Sequence, residues 1–180
     1  MVLFILSIKA ELDGVSSISL SPGSNLCMSV RNPLSDYEKR DKIVIDTSQH
    51  VEQEENSKEP PCHFTIKWEG MKKRSTITIL DESSAKAALK KKTKKGKVSP
   101  YQPRIVTAED SESFVPVLVM ECRGVEPYAF HPMDGEFTVA SEGNIIFDDV
   151  DLSEGDWGDY DEENDAAVSI TDFESEFVNP

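Results

Sequence analysis

Short apolar runs separated by polar turns dominate the chain, and the spacing of an amphipathic helix is scarce. Between Leu6 and Glu11 apolar and polar residues alternate, as in a strand with one buried face, and Asp13-Gly14 then marks a turn. The predicted strands are Val2–Leu12, Leu26–Val30, Lys42–Asp46, His63–Trp68, Thr76–Leu80, Phe114–Cys122, Glu136–Ala140, Asn144–Phe147 and Val168–Val178. Many short strands with turns between them favour a mainly all-β fold of the sandwich or barrel type.

Two stretches interrupt this pattern. Thr47–Pro61 is polar and acidic and ends in two prolines, which is typical of a long surface loop. Glu82–Pro100 begins with a possible helical turn and continues into a lysine-rich run, so it is predicted to be a mobile connector. We therefore divide the chain into an N-terminal β half (residues 1–81), the connector (82–100) and an acidic C-terminal β half (101–180).

A short internal repeat relates the two halves. Glu11-Leu12-Asp13-Gly14-Val15 aligns with Glu121-Cys122-Arg123-Gly124-Val125, and in both segments an apolar strand runs into a Gly-Val turn. A glycine at each strand end can supply the same turn. We expect two pseudo-symmetric β halves that form a single sandwich-like or barrel-like unit.

Charge is distributed unevenly along the 180 residues. The formal net charge is −15, and after Arg123 the chain has 17 Asp and Glu residues without any Lys or Arg. Residues 1–123 carry the other 17 acids against all 19 basic residues, a balance of +2. The acidic last third disfavours nonspecific binding to nucleic acid or to an anionic membrane. Its simplest interpretation is a solvated acidic surface.

The apolar runs and the cysteines indicate in which cellular compartment the protein is located. No run approaches the roughly 20 apolar residues of a membrane span, and the opening run is too short for a secretory signal. Cys27, Cys62 and Cys122 are far apart and odd in number, which argues against a disulfide framework and suits a reducing compartment. We expect a soluble cytoplasmic protein, with the nucleus as a second candidate location.

Several separate blocks in the second half carry a more specific signal. They are Tyr101-Gln102-Pro103, Ala108-Glu109-Asp110 with Phe114, Glu121-Cys122-Arg123-Gly124-Val125-Glu126-Pro127, Phe130-His131-Pro132, Phe147-Asp148-Asp149-Val150-Asp151-Leu152 and Asp156-Trp157-Gly158-Asp159-Tyr160-Asp161-Glu162. In this order, and with Lys9-Ala10-Glu11-Leu12 near the start, they resemble the eukaryotic CXXC motif-containing zinc-binding proteins, a small and largely uncharacterised family. The resemblance covers about residues 2–15 and 99–178 and implies a mostly β protein with two pseudo-symmetric halves.

The resemblance also implies one zinc ion in the N-terminal half, held by two Cys-x-x-Cys pairs. Four thiolates make a closed tetrahedral site without an open position for catalysis. This sequence contains no Cys-x-x-Cys pair, and the positions that match the four ligands are Arg31, Leu34, Trp68 and Met71. We therefore expect a divergent member without zinc or another cofactor. We expect Leu34, Trp68 and Met71 to fill the space of the metal, at roughly 1.5–3 kcal/mol per buried side chain.

Two charged segments have alternative interpretations. The lysine run could be a nuclear localisation signal or a nucleic-acid contact, or simply a solvated linker. Its residues are Lys86, Lys90, Lys91, Lys92, Lys94, Lys95 and Lys97. The run contains no aromatic residue, so base stacking has little support. The acids between Asp148 and Glu163 do not have the spacing of a calcium loop, and we expect a solvated acidic turn anchored by Trp157 and Tyr160.

No catalytic signature is present in the sequence. His50, His63 and His131 are not accompanied by a recognisable nucleophile motif, and no phosphate-binding glycine loop occurs. The sequence predicts a non-enzymatic protein that acts through contacts with an unidentified protein partner. Two alternatives stay open. One is zinc binding by non-standard ligands such as Cys62 and His63, although adjacent strand residues face opposite sides. The other is a nuclear or nucleic-acid-associated role of the lysine run.

Overall fold

In a computed structural model, the chain folds around a six-stranded antiparallel sheet that is joined by two smaller antiparallel sheets. The structure describes residues 1–52, 58–93 and 99–180. The strands of the first half are β1 (Val2–Asp13), β2 (Val15–Leu20), β3 (Asn25–Arg31), β4 (Lys39–Asp46), β5 (Phe64–Ile66) and β6 (Ser75–Ile79). Helix α1 (Glu82–Lys92) follows. The remaining strands are β7 (Val106–Thr107), β8 (Val115–Arg123), β9 (Glu126–His131), β10 (Phe137–Ser141), β11 (Ile146–Val150), β12 (Trp157–Asp161) and β13 (Ala166–Val178).

The sheets are assembled from strands of both halves. The order in the large sheet is β12-β13-β1-β8-β6-β5, and the smaller sheets have the orders β11-β10-β2-β7 and β4-β3-β9. The large sheet is symmetric about the central β1–β8 pair, because the hairpin β12–β13 adds to β1 as the hairpin β5–β6 adds to β8. The small sheets repeat the exchange, since β2 pairs with β10 and β9 pairs with β3. The prediction of a mainly β unit with two pseudo-symmetric halves is confirmed.

The two glycines of the internal repeat occupy equivalent places in this topology. Gly14 (φ 68°) follows β1, and Gly124 (φ 66°) follows β8. At each glycine the chain leaves the large sheet and enters a smaller one. A Cβ atom at Gly14 would collide with the carbonyl oxygen of Ala167, and the backbone there is left-handed, so glycine is required for both reasons.

Helix α1 corrects the prediction for the connector. The Asp81 carboxylate caps the helix by accepting a hydrogen bond from the Ser84 N–H at 2.7 Å. Ala85 and Leu89, one helical turn apart, are buried against the large sheet, where they join the side chains of Leu3, Ile5 and Val119. A mobile connector with a single helical turn is therefore wrong for residues 82–92, because two apolar residues four apart are enough to dock the helix. Lys94, Lys95 and Lys97 lie outside the described residues.

The pattern of apolar residues does not predict β2, β7, β9 or β12. The expected acidic turn around Trp157 and Tyr160 is instead β12, which pairs with β13 at one edge of the large sheet. The prediction of β11 is displaced, since the strand covers Ile146–Val150 rather than Asn144–Phe147. Within the described residues, no helix is long and apolar enough to span a bilayer.

Candidate functional site

The positions predicted to match the family's zinc ligands lie in or beside two turns of the N-terminal half. The first turn connects β3 to β4, and the Ser35 N–H donates to the Asn32 carbonyl at 3.1 Å. The second connects β5 to β6, and the Met71 N–H donates to the Trp68 carbonyl at 3.2 Å. Each is a four-residue turn whose first and last residues lie close together, as the cysteines of a Cys-x-x-Cys pair must. Trp68 and Met71 occupy those places in the second turn.

The first turn is placed differently relative to the predicted positions. Arg31 is the last residue of β3 and precedes the turn, and Leu34 is the third residue of the turn. The Arg31 Nε donates to the Glu126 carboxylate on β9 at 2.9 Å, and this hydrogen bond raises the pKa of the guanidinium. The residues at the first and last places of this turn are Asn32 and Ser35.

Burial differs sharply among the apolar residues expected to fill the site. Trp68 is 1% exposed, and its indole N–H donates to the Gly124 carbonyl at 2.8 Å. Leu34 is 79% exposed and Met71 is 38% exposed. The expectation that Leu34 and Met71 fill the site is therefore wrong, because both lie in turns and are exposed to solvent. Of the three apolar residues expected to fill the site, Trp68 is the one that is buried.

A single carboxylate joins the two turns. The Glu38 Oε2 accepts a hydrogen bond from the Asn32 Nδ2 at 2.6 Å, and its Oε1 accepts one from the Glu69 N–H at 2.9 Å. Asn32 is 5% exposed, and its Oδ1 accepts from the Leu34 N–H at 3.0 Å. The Asn32 N–H also donates to the Glu38 carbonyl at 2.9 Å. We call these contacts of Glu38 the Glu38 cross-link.

The side chains at the four predicted ligand positions do not fit zinc. Arginine stays protonated, the side chains of Leu and Trp have no lone pair for a metal, and the thioether of Met is a weak ligand. The Asn32 amide is committed to hydrogen bonds at both ends. Across residues 1–52, 58–93 and 99–180, no group of three His, Cys, Asp or Glu side chains is arranged to hold a metal ion.

Cys62 and His63, the alternative metal ligands, lie beside β5. Cys62 is buried, and its burial raises the pKa of the thiol. The His63 Nδ1 accepts a hydrogen bond from the Ile79 N–H at 3.0 Å, which leaves only Nε2 for other partners. The ring of His50 lies 4.5 Å from that of His63, and burial together with His50 lowers the pKa of His63. The structure thus places the rings of His50 and His63 side by side. Cys27, another cysteine of the N-terminal half, lies on a different strand, β3.

The C-terminal half has an equivalent pair of turns, one between β10 and β11 and the other between β12 and β13. Asp161, at the end of β12, is 1% exposed, and its Oδ2 accepts from the Ser141 hydroxyl at 2.8 Å. Its Oδ1 accepts from the Asn164 N–H at 3.0 Å, and the Asn164 Nδ2 also donates to the Gly143 carbonyl at 3.3 Å. Burial raises the pKa of Asp161, but the hydrogen bonds from Ser141 and Asn164 outweigh it and leave the pKa below its usual value. We call this arrangement the Asp161 cross-link.

Strand β12 also forms an acidic edge of the large sheet. The Trp157 ring packs against Phe147, with 5.4 Å between the ring centroids. Asp159 and Tyr160 are exposed, and the Tyr160 hydroxyl is hydrogen-bonded to Asp165. The outer side of β12 therefore combines an aromatic side chain and carboxylates with a strand edge that pairs with no other described strand.

The described part of the lysine run lies on α1. Lys86, Lys90, Lys91 and Lys92 are exposed, and the Lys92 Nζ donates to the Pro180 carbonyl at 3.1 Å. These lysines are accessible from solvent.

The sequence pattern does not indicate one buried acidic residue. Glu136 is 1% exposed, and its Oε2 accepts a hydrogen bond from the Met133 N–H at 2.8 Å. Its Oε1 has no hydrogen-bond partner among the described residues. Burial raises the pKa of Glu136 to about 7. No sequence signal marks this residue, because a Glu beside Gly135 in a polar turn is ordinarily exposed.

One family profile and several known proteins match this sequence. The sequence profile of the family described as "CXXC motif containing zinc binding protein, eukaryotic" matches residues 5–178. The UPF0587 protein CG4646 of Drosophila melanogaster is 33% identical over 141 residues, which are 78% of this chain and 75% of the fly protein. The CXXC motif containing zinc binding protein of Rattus norvegicus is 41% identical over 71 residues, which are 39% of this chain and 44% of the rat protein.

The fold is also found among solved structures. A hypothetical protein from Plasmodium falciparum superposes with a TM-score of 0.78 at 26% sequence identity. The superposition covers 99% of this chain and 100% of the other. The likeness therefore extends over both halves and both pairs of turns.

Proposed function

The chain belongs to the eukaryotic family of CXXC motif-containing zinc-binding proteins, and we propose that it is a zinc-free member that acts by binding a protein partner rather than by catalysis. The zinc-free part rests on the chemistry of the two turns, where no thiolate stands at the first or last residue of either turn. The binding part rests on the acidic edge formed by β12.

The acidic edge supports a partner with a basic, extended segment. A strand at the edge of a sheet presents unpaired backbone groups that can pair with another extended chain. Asp156 and Asp159 are exposed along this edge, and Tyr160 offers the kind of aromatic side chain that is enriched at interfaces. Complementary charge would select lysine-rich or arginine-rich segments and accelerate their association.

The binding proposal is tested with matched charge variants. Affinity purification followed by mass spectrometry would compare the wild type, an Asp156→Lys/Asp159→Lys variant and a control variant with Glu109→Lys/Glu112→Lys, whose exposed acids lie between β7 and β8. A protein recovered with the wild type and the control, but not with the edge variant, is then purified. We expect its direct affinity to fall at least about tenfold in the edge variant, equivalent to about 1.4 kcal/mol. Equal affinities for both variants would refute the acidic edge as the binding surface.

The zinc-free part has a separate test. Elemental analysis of protein purified without chelators should give far less than one zinc per chain. One tightly held equivalent of zinc would overturn this part, whatever the result for the acidic edge. The same measurement on a Cys62→Ser/His63→Ala variant would then show whether those non-standard ligands hold the ion.

Four exposed lysines support a second role in nuclear import. Lys86, Lys90, Lys91 and Lys92 are exposed on α1, where a transport receptor could reach them. Replacement of all seven lysines of the run by glutamine should abolish nuclear accumulation of a fluorescent fusion. Unchanged distribution between nucleus and cytoplasm would exclude this role.

A further inference from the structure

We infer that the Glu38 carboxylate has taken the place of the family's metal as the link between the two turns of the N-terminal half. The inference rests on the proposed absence of zinc. A metal site of two Cys-x-x-Cys pairs fixes two separate turns to one point. The Glu38 cross-link does the same, because one carboxylate oxygen binds the first turn and the other binds the second.

The hydrogen-bond partners of Glu38 determine which kind of side chain can link the two turns. Both partners of the carboxylate are donors, namely the Asn32 side-chain amide and the Glu69 backbone N–H. The orientation of the Asn32 amide is fixed, since its oxygen already accepts from the Leu34 N–H. A carboxylate, which accepts at both oxygens, satisfies both donors at once. Hydrogen bonds of this charge-assisted kind are roughly twice as strong as neutral ones.

The symmetry of the fold supplies independent support. The exchange of strands makes β3 equivalent to β10 and the hairpin β5–β6 equivalent to the hairpin β12–β13. In the C-terminal half, the Asp161 carboxylate joins Ser141, at the end of β10, to Asn164 in the turn between β12 and β13. Asp161 lies at the place of Trp68 rather than of Glu38. Two turns held together by one carboxylate are therefore already part of this fold, and in the N-terminal half the carboxylate comes from the other connection, between β3 and β4.

The first test replaces the carboxylate by its isosteric amide. In Glu38→Gln, the NH₂ end of the amide must face either Asn32 or Glu69, so one donor loses its acceptor. We expect the melting temperature to fall by about 2–4 °C, and hydrogen exchange at the Glu69 N–H to become at least about tenfold faster. The control is Glu154→Gln at an exposed carboxylate, which should change neither quantity. Unchanged melting and exchange in Glu38→Gln would overturn the inference while leaving the zinc-free proposal intact.

The second test exchanges the carboxylate for a metal. Asn32→Cys, Ser35→Cys, Trp68→Cys and Met71→Cys place thiols at the first and last residues of both turns. The comparison variant has Arg31→Cys and Leu34→Cys in the first turn and the same cysteines in the second. We expect only the former to bind one zinc tightly, because only its thiols lie at the ends of the two turns that Glu38 joins. Asn32→Cys already removes one partner of Glu38, so zinc binding itself is the readout. No tight zinc binding by a folded variant of this kind would show that the metal and the carboxylate are not alternative links.

These experiments distinguish a failure of the Glu38 inference from a failure of the zinc-free proposal. Zinc found in the wild-type protein refutes the zinc-free proposal. If the cysteine variant does not fold, the Glu38→Gln measurements still decide the inference by themselves.

Discussion

The buried Glu136 predicts an unusual dependence of stability on pH. Its carboxyl group lies in the core with one oxygen unpaired, and burial raises its pKa from an ordinary 4.5 to about 7. The folded protein therefore holds a proton on Glu136 between these two pH values, whereas the unfolded chain releases it. The contribution of this proton to folding is fully present below about pH 4.5 and is lost as the pH rises through about 7.

The magnitude follows from the size of the shift. At 1.36 kcal/mol per unit, a displacement from 4.5 to about 7 corresponds to about 3 kcal/mol. Among the described residues, the burial of Glu136 is opposed by the hydrogen bond from the Met133 N–H and not by a neighbouring cation. The neighbouring Cys27 thiol also has a raised pKa, through burial first and the charge of Glu136 second. Its ionisation therefore belongs to a more alkaline range than the measurement below.

Urea unfolding of the wild type and Glu136→Gln, from pH 5 to pH 8, measures this effect. The amide can still accept from the Met133 N–H but carries no titrating proton. The variant should therefore gain up to about 3 kcal/mol on the wild type as the pH rises, with most of the change between pH 5 and 7. Glu142→Gln, at an exposed position, controls for the loss of one negative charge. A difference between Glu136→Gln and wild type that does not vary with pH would refute the reasoning.

Two further substitutions test local features of the fold. Gly14→Ala should lose about 1–2 kcal/mol for its left-handed backbone and a further amount for the collision with the Ala167 carbonyl. Gly70→Ala has a similar φ of 73° but open space around its Cβ, so it should lose only the first part, and equal losses in urea unfolding would contradict the collision. Asp81→Ala removes the cap of α1 and should cost about 1 kcal/mol, with faster hydrogen exchange in the first turn of the helix. Asp81→Asn should recover most of that loss, and an Asn variant as unstable as the Ala variant would argue against capping.

The strands that the sequence predicts are those with a continuous or an alternating run of apolar residues. In β1 the alternation is clear in its second half, and the turn at Gly14 follows from Asp-Gly. Strand β2 was missed because an irregularity in its pairing with β10 lies at Ser16, whose hydroxyl donates to the carbonyls of Ala140 and Ser141. Its buried residues, Val15 and Ile18, are consequently three apart rather than two.

Other elements are invisible to hydrophobic patterning for a different reason. Helix α1 buries only Ala85 and Leu89 among many lysines, so its sequence looks like a linker. In β12 the one fully buried residue is Asp161, whose burial depends on hydrogen-bond partners from other strands and turns. Such partners are set by tertiary structure and cannot be recognised in one sequence.

The sequence indicates the two turns of the candidate site but not the residue that joins them. The resemblance directs attention to the turns that contain Leu34 and Trp68, and the structure does bring these turns together. The residue that joins them, Glu38, was missed because its partners lie on both sides of it in sequence and no local motif connects them. The ligand-equivalent positions Arg31 and Leu34 stay a prediction, which the two cysteine variants can decide.

The exchange of strands between the halves has a consequence for biosynthesis. Strand β1 emerges from the ribosome long before β13, yet Ile5 of β1 pairs with Val178 of β13. Until β13 arrives, the apolar run at the start of β1 has an open edge that other chains could join. Such long-range pairing slows folding, so the nascent chain should depend on chaperones up to the completion of synthesis. A truncation that removes β13 would leave β1 without its partner on one side of the large sheet.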